Sequence, residues 1–279
     1  MRFDRLATLA LFHPAVRLLK GDGEGARAIL MYHSVSDASE AGVLPYFRLN
    51  TSPWQFALQM DVLREGDWDV IPLADLLTPK GLWSQPQRRV AITFDDGYED
   101  FLTNAFPVLE EHGFPASVFL PTGHIAERAR EFKGKRCLTW SQVRRLSTGG
   151  VHFGSHTVTH RQLYSLSDAE RNEELRRSKA QIEDHLGIAV EGFSYPFAFP
   201  QHDATFCARF RSILENCGYA YGVCTALGRV RDGDDHFFAR RLPVNTLDDA
   251  KLLRAKLEGG YDWLGGIQYM AKAFRWAVP

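Results

Sequence analysis

The chain has 279 residues, of which 24% are charged, and a formal net charge of −1. This length suits one large α/β domain with a substantial core. The near-neutral charge balance gives no sign of the basic face that a long nucleic-acid strand requires, so no nucleic-acid partner is expected. The four cysteines lack the close spacing of a Cys₄ zinc site and predict reduced thiols instead.

The first element in chain order is an apolar N-terminal run, from which we predict an amphipathic helix over residues 3–19. His13-Pro14 interrupts the run, which is far shorter than the roughly 20 residues needed to span a bilayer. The helix either docks on the domain or lies at a membrane surface as a peripheral contact. Since neither a spanning segment nor a clear cleavage site is visible, the chain is expected to be cytoplasmic or peripheral to the membrane.

Strands and helices alternate along the rest of the chain. Ser52 caps a predicted helix that starts at Pro53 and ends at Gly66, and Ser167 opens another with capping-box form that runs to about Leu186. Apolar runs bounded by turn residues predict strands at 29–32, 68–71, 90–94, 116–120, 151–153, 190–195, 220–225 and 238–242. This alternation indicates a parallel α/β fold, either a barrel or an open doubly wound sheet.

The most informative segment is Val90–Phe94, a predicted buried strand that runs directly into Asp95 and Asp96. Two adjacent carboxylates repel each other and are costly to bury unless a positive charge compensates them. A metal ion is the usual compensation. The strand therefore predicts a metal site with a second carboxylate beside it to act as a base.

A pair of histidines, His156 and His160, follows another predicted strand. With 10 histidines in the chain, pairs spaced by four residues are expected by chance, and His152 also lies four residues before His156. We interpret His152 as a packed or hydrogen-bonded residue of the strand. Combined with the two acids, His156 and His160 predict an Asp/His/His metal site.

From about Ala28 to about Val244 the chain resembles the polysaccharide deacetylases of carbohydrate esterase family 4. The motifs that carry the resemblance are Ile29–Val35, Thr93–Tyr98, Leu138–Trp140, Gly154–His160, Phe193–Phe197 and Arg241–Val244. The resemblance implies a single-domain α/β fold, a distorted (β/α) barrel of about seven parallel strands. We expect a catalytic domain over residues 28–250, with helical extensions at 1–27 and 251–279.

For the metal site, the resemblance implies that Asp96, His156 and His160 bind a divalent metal, Zn²⁺ first, with Co²⁺ and Ni²⁺ as alternatives. The metal activates a water, for which Asp95 acts as general base. The backbone N–H of Phe197 then stabilises the oxyanion, because Pro196 before it has no N–H to donate.

Two family features are missing from this sequence. The histidine of a Leu-x-x-His motif near the C-terminus is absent, and His33 is the replacement candidate for the general acid, with a structural histidine as the alternative. Ser194 stands where the family often carries an arginine that orients the base. We expect Arg241 to take over that task by pairing with Asp95.

The aromatic residues Trp140, Tyr98, Tyr195 and Phe197 are candidates for stacking against a sugar. The leading hypothesis is a hydrolase that removes acetyl from N-acetylhexosamine units of an acetylated carbohydrate. Two alternatives stay open: a hydrolase of O-acetyl esters or of linear amides in other substrates, and an inactive carbohydrate-binding homologue.

Overall fold

A computed structural model describes residues 2–20, 25–77 and 87–277. Its strands are β1 (Arg27–Tyr32), β2 (Ser34–Val35), β3 (Asn50–Thr51), β4 (Asp69–Val70), β5 (Arg89–Phe94), β6 (Ala116–Leu120), β7 (Glu131–Phe132), β8 (Lys135–Arg136), β9 (His152–Ser155), β10 (Gly192–Ser194), β11 (Tyr221–Leu227) and β12 (Ala239–Pro243). Its α-helices are α1 (Phe3–Ala7), α2 (His13–Lys20), α3 (Pro53–Glu65), α4 (Leu73–Leu77), α5 (Phe106–His112), α6 (Trp140–Thr148), α7 (Asp168–Leu186), α8 (Ala204–Asn216), α9 (Ala250–Leu257) and α10 (Trp263–Ala277).

Seven strands close into a barrel in the order β1, β12, β11, β10, β9, β6 and β5, because β5 pairs back onto β1. The pairings around this ring are parallel. The short strand β4 pairs with the first residues of β5, outside the ring. The predicted distorted barrel of about seven parallel strands is therefore confirmed. The carboxyl ends of all seven strands meet at one face, where sites form in parallel barrels.

The helices begin and end at the signals in the sequence. The Ser52 side chain accepts a hydrogen bond from the Gln55 N–H at the start of α3, and Gly66 follows its last residue. Ser167 and Glu170 form the capping box of α7, which ends at Gly187 in the left-handed conformation. One difference concerns the N-terminal helix, in which a π-helical turn at Thr8–Phe12 separates α1 from α2. Apolar spacing alone does not reveal the extra residue of such a turn.

The barrel interior is filled by a small apolar cluster drawn from facing strands, including Ile29 of β1, Ala91 of β5 and Phe119 of β6. Leu73 and Leu76 of α4 join this cluster, so α4 covers the end of the barrel where the strands begin. Side chains alternate between the two faces of a strand. Since Ala91 points inward, Thr93 and Asp95 also point into the barrel, at its opposite end.

The terminal segments are helical, over Phe3–Lys20 and Trp263–Ala277. Among the described residues, no helix combines the length and the apolar character that crossing a bilayer requires. The expected boundaries between the extensions and the catalytic domain, at residues 27 and 251, stay a prediction.

Candidate metal and catalytic site

Strand β5 places the two acids, and its pairing with β1 places His33 beside them. Tyr32 is the register partner of Phe94, and the Asp95 N–H donates to the Tyr32 carbonyl at 3.0 Å. His33, one residue past β1, therefore lies next to Asp95. The chain then turns sharply, since Asp96 has a φ of 69°. Asp95 thus points into the barrel, whereas Asp96 is directed toward the neighbouring strands.

The two histidines follow β9. The pairing of β9 with β6 continues to His156, whose N–H donates to the Leu120 carbonyl at 2.9 Å. The segment between the two histidines is held by Glu174 of α7, which accepts hydrogen bonds from the N–H groups of Val158 and Thr159 at 2.8 and 2.9 Å. This carboxylate fixes the turn that brings the two imidazoles to the same side.

Backbone strain concentrates at this end of the barrel. Six non-glycine residues have a positive φ in the described parts of the chain, and four of them are Asp96, Thr157, His160 and Phe197. Side chains other than glycine rarely adopt this conformation, which costs roughly 1–3 kcal/mol for each residue and persists at functional sites. Holding these four residues in this conformation therefore lowers the stability of the folded barrel.

Asp96, His156 and His160 form a tight cluster. One ligand atom from each lies within 4.8 Å of the other two, and all three residues are buried. Asp96 Oδ1 stands 3.1 Å from Nε2 of His160 and 3.6 Å from Nε2 of His156. Two atoms that each bind one tetrahedral zinc ion at about 2.0–2.1 Å stand about 3.4 Å apart. The distance from Asp96 Oδ1 to His160 lies slightly below that value, and the distance to His156 lies slightly above it.

The hydrogen bonding of the cluster also fits a cation. Asp96 Oδ1 is buried and receives no hydrogen bond of acceptable geometry from any side chain or backbone group that the structure describes. His156 Nδ1 lies 2.7 Å from the Ser194 carbonyl, which accepts only if that nitrogen carries the proton. Nε2 of the neutral ring then presents its lone pair to the cluster. Burial lowers the pKa of His156 to about 4, despite the opposing charge of Asp95, so the ring is neutral at pH 7.

The second oxygen of Asp96 has a different environment. Oδ2 accepts from the Tyr98 hydroxyl at 3.0 Å and from the Lys133 ammonium at 3.2 Å. Burial and the nearby charge of Asp96 raise the pKa of Tyr98 well above its usual value, so the hydroxyl keeps its proton and donates. These two donors occupy Oδ2 and leave Oδ1 directed at the two histidines. Together, the three residues can hold a divalent cation through one oxygen and two nitrogens.

Asp95 has a bidentate partner in Arg241, which lies in β12 and is completely buried. The guanidinium donates to Oδ1 at 2.9 Å and to Oδ2 at 2.7 Å. Ser194 adds a hydrogen bond to Oδ1 at 3.0 Å and accepts one from Arg241 at 3.1 Å. Burial alone raises the pKa of Asp95, but the charge and hydrogen bonds of Arg241 reverse this and lower it well below its usual range.

His33 approaches Asp95 from the other side, with Nε2 at 3.9 Å from Oδ2. Burial lowers the pKa of His33, although the charges of Asp95 and Asp96 act in the opposite direction. Oδ1 of Asp95 already accepts two hydrogen bonds, and Oδ2 accepts one. Oδ2 therefore has the free lone pair of this carboxylate, on the side of His33.

The four aromatic residues expected to stack against a sugar differ in how far they are exposed. Phe197 is 49% exposed, and its ring centroid lies 4.6 Å from that of His160, at the mouth of the site. Tyr195 is 1% exposed and packs among phenylalanines, and Trp140 is 5% exposed and stacks on His185. Tyr98 is 5% exposed beneath the site. Because buried rings offer no face to a sugar, the stacking roles suggested for Tyr195, Trp140 and Tyr98 do not fit this structure.

His152 was expected to be packed or hydrogen-bonded within its strand, and the packed alternative is wrong, because this first residue of β9 is exposed. It is not a member of the cluster of ligand atoms.

Sequence reasoning missed Lys133 and the contact that Ser194 makes with Asp95. Lys133 lies at the tip of the hairpin formed by β7 and β8, where it and Gly134 both have a positive φ. The Lys-Gly pair between two short alternating segments is a hairpin signal. No feature of the sequence, however, indicates that this hairpin folds over Asp96.

The chain is similar to known deacetylases in sequence and in structure. The model of the polysaccharide deacetylase family matches residues 84–222. The poly-β-1,6-N-acetyl-D-glucosamine N-deacetylase of Staphylococcus aureus strain N315 is 24% identical over 244 residues, which cover 81% of either protein. YxkH of Bacillus subtilis is 26% identical over 218 residues, which cover 78% of this chain and 71% of YxkH.

Among solved structures, IcaB from Ammonifex degensii superimposes with a TM-score of 0.70 at 25% identity and covers 84% of this chain and 98% of its own. The deacetylase PplD of Streptococcus pyogenes has the same fold, with a TM-score of 0.70 at 22% identity, covering 83% of this chain and 98% of its own. The family model spans strands β5, β6, β9 and β10 and the motif segments from Thr93 to Phe197. The chain belongs to the polysaccharide deacetylase family.

Proposed function

We propose that this protein is a hydrolase of carbon–nitrogen bonds, a divalent-metal-dependent deacetylase that removes acetyl from N-acetylhexosamine units of a polysaccharide or glycoside. The observation that carries the proposal is the juxtaposition of a cluster with metal-ligand spacing, Asp96, His156 and His160, with an ionised carboxylate, Asp95, that lies outside it. The relative from S. aureus is named for such a reaction on poly-β-1,6-N-acetyl-D-glucosamine.

In this proposal, Asp96 Oδ1 and the Nε2 atoms of His156 and His160 hold the metal, with Zn²⁺ as the expected ion and Co²⁺ or Ni²⁺ as alternatives. When bound, a divalent cation supplies Lewis-acid chemistry: it polarises the amide carbonyl and lowers the pKa of a bound water to around 7. Tyr98 and Lys133 hold Asp96 through Oδ2, so that Oδ1 stays directed at the two histidines.

Asp95 removes the proton from the attacking water, and Oδ2 is the atom that accepts it. Arg241 and Ser194 hold the carboxylate so that Oδ2 keeps its free lone pair toward the site. His33 Nε2, 3.9 Å from Oδ2, receives the proton and delivers it to the departing amine.

The tetrahedral transition state carries a negative charge on the former carbonyl oxygen, for which donors must be in place beforehand. The Phe197 N–H is the proposed donor. The left-handed conformation of Phe197, with φ of 59°, sets the direction of this peptide at the end of β10. The exposed ring of the same residue is the one proposed stacking surface that faces the mouth.

Acetate release tests the proposal. Purified protein is stripped with a chelator, reloaded with Zn²⁺, Co²⁺ or Ni²⁺, and given β-1,6-linked N-acetylglucosamine oligomers, chitooligosaccharides and acetylated xylan in parallel. We expect metal-dependent release from an N-acetylated oligomer. Release from acetylated xylan alone indicates an O-acetyl esterase instead, and metal binding without any release indicates an inactive carbohydrate-binding homologue.

A further inference from the structure

The two ends of the chain differ in charge from the rest of the protein. Residues 1–20 contain four basic and one acidic residue, and residues 250–279 contain five basic and two acidic residues. Each segment therefore has a formal net charge of +3, although the whole chain has −1. The intervening barrel is correspondingly acidic. Such a charge asymmetry between segments indicates a surface with an anionic partner.

The N-terminal helix is held on the barrel through its inner side. Arg2 donates to Asp248 at 3.0 Å, and the Trp263 indole N–H donates to the Thr8 hydroxyl at 3.1 Å. The ring of Phe12 stacks on that of Trp263 at a centroid distance of 4.6 Å. Since these contacts fix the helix, its outer side is a constant feature of the molecular surface.

That outer side is apolar. Leu11, Ala15, Leu18 and Leu19 occupy positions i, i+4, i+7 and i+8, the spacing of one helix face, and all four are exposed. Leu18 and Leu19 are 90% and 82% exposed. A continuous exposed apolar row of this kind marks an interaction surface rather than ordinary solvent-facing helix.

Helix α10 repeats the pattern. Ile267, Met270 and Phe274 lie at positions i, i+3 and i+7 and are exposed, Phe274 by 74%. Its first residue, Trp263, stacks on Phe12, so the N-terminal helix and α10 are in direct contact.

A basic groove runs between the N-terminal helix and α9, with a cavity volume of about 650 Å³. Its basic lining residues are Arg5, Arg17, Arg88, Lys251 and Arg254. Carboxylates neutralise part of this charge, as Arg5 pairs with Asp249 and Arg254 with Glu65. Glu258 also lines the groove. The basic lining lies beside the apolar row, because Arg17 directly precedes Leu18.

The groove reaches the end of the barrel that is remote from the catalytic residues. Arg88 immediately precedes β5, and Asp95 immediately follows it. A partner bound at the groove therefore leaves the mouth of the site open to solvent.

We propose that this helical layer docks on an anionic lipid bilayer: the apolar row enters the interface, and the groove binds the phosphates of lipid head groups. Helices that lie in a membrane interface combine an apolar face with basic residues in this way. A second copy of the chain fits less well, because a two-fold contact would bring two layers of the same positive charge together. The docked enzyme acts on carbohydrate that approaches from the aqueous side.

Vesicle co-sedimentation tests this proposal with the full chain. Vesicles of phosphatidylcholine alone are compared with vesicles of phosphatidylcholine and phosphatidylglycerol in equal parts. We expect at least about 10-fold stronger partition onto the anionic vesicles, and release at high salt because screening weakens the attraction. The double variants Leu18→Asp/Leu19→Asp and Arg17→Glu/Lys251→Glu should each weaken this partition about 10-fold or more.

Matched controls carry the same substitutions elsewhere. Ile188→Asp replaces an exposed apolar residue and Arg161→Glu an exposed basic residue, both outside the helical layer. These variants should bind the anionic vesicles like the unchanged protein. Circular dichroism of each variant shows whether it is folded, and a misfolded pair is replaced by Leu18→Ser/Leu19→Ser or Arg17→Gln/Lys251→Gln.

Several results would overturn the proposal. Absence of partition onto anionic vesicles, or equal partition onto both compositions, contradicts it. A dimer in light scattering that dissociates in Leu18→Asp/Leu19→Asp shows that the apolar row binds a second copy. Release by inorganic phosphate, but not by chloride at equal ionic strength, shows that the groove binds free phosphate instead of a bilayer.

Discussion

Arg241 donates one hydrogen bond to each oxygen of Asp95, at 2.9 and 2.7 Å, and no part of the arginine is exposed. The two residues are 146 positions apart: Arg241 lies on β12, and Asp95 immediately follows β5. The guanidinium keeps the carboxylate ionised within the barrel, where burial alone would favour the protonated form. It therefore determines the pH range in which Asp95 can act as a base.

Replacing Arg241 should move the acid limb of the pH–rate profile to higher pH. Arg241 lowers the pKa of Asp95, so its removal raises that pKa, and the base is then protonated at a higher pH. The measurement is kcat/KM against pH for Arg241→Ala, with Arg241→Lys as a second variant if the alanine protein does not fold. Arg240→Ala is the control, since Arg240 pairs with Asp234 instead. An unmoved limb in a folded Arg241 variant would mean that Arg241 does not act on the base.

The two neighbouring acids should respond differently to substitution. Asp95→Asn should retain the metal, because Asp95 lies outside the cluster of ligand atoms, yet lose about 10²–10⁴-fold in kcat through the missing general base. Asp96→Asn should lose metal. Metal content by atomic emission and kcat are measured on the same preparations. Loss of metal from Asp95→Asn would show that the two roles are exchanged.

The metal site itself is tested by alanine substitution. Asp96→Ala, His156→Ala and His160→Ala should each reduce bound divalent metal and acetate release together, because each removes one of three proposed ligand atoms. His152→Ala is the matched control, since His152 is exposed at the start of β9 and lies outside the cluster. Normal metal content in His160→Ala would contradict the proposed ligand set.

Tyr98 should affect the metal without being a ligand. Its hydroxyl donates to Asp96 Oδ2, and removing such a support of a metal-binding carboxylate typically weakens metal affinity about 10–100-fold. We expect Tyr98→Phe to raise the metal dissociation constant, measured by competition with a chromogenic chelator, by about 10-fold. Tyr164→Phe removes the same kind of bond, from Tyr164 to Asp203, and should leave the constant unchanged.

The role of His33 is tested by comparing two leaving groups. If His33 protonates the departing amine, His33→Ala should slow amide hydrolysis by about 10²–10⁴-fold but affect an activated acetyl ester far less, because that leaving group needs little protonation. His124→Ala serves as the control, since its ring packs on Phe132 at the rim of the site. Equal losses with both substrates would indicate a structural or binding role for His33.

The sequence determined much of this protein by local chemistry. Ser52 and Ser167 start their helices and Gly66 and Gly187 end them, because capping bonds and the left-handed conformation depend on neighbouring residues only. The apolar run before Asp95-Asp96 likewise identified β5 and its two acids. Together with the spacing of His156 and His160, these acids predicted an Asp/His/His metal site. The alternation of strands and helices predicted a parallel α/β fold, and only the family resemblance implied that its sheet closes into a barrel.

The tertiary structure decided what depends on residues distant in the sequence. Ring closure between β1 and β5 brings His33 to Asp95, and the hairpin of β7 and β8 brings Lys133 to Asp96. The tertiary structure also decided which apolar residues are buried. Tyr195 and Trp140 are covered by helices, whereas Leu18 and Leu19 face solvent. Local patterns report which residues are apolar, but which of them lose contact with water depends on how the helices pack around the closed barrel.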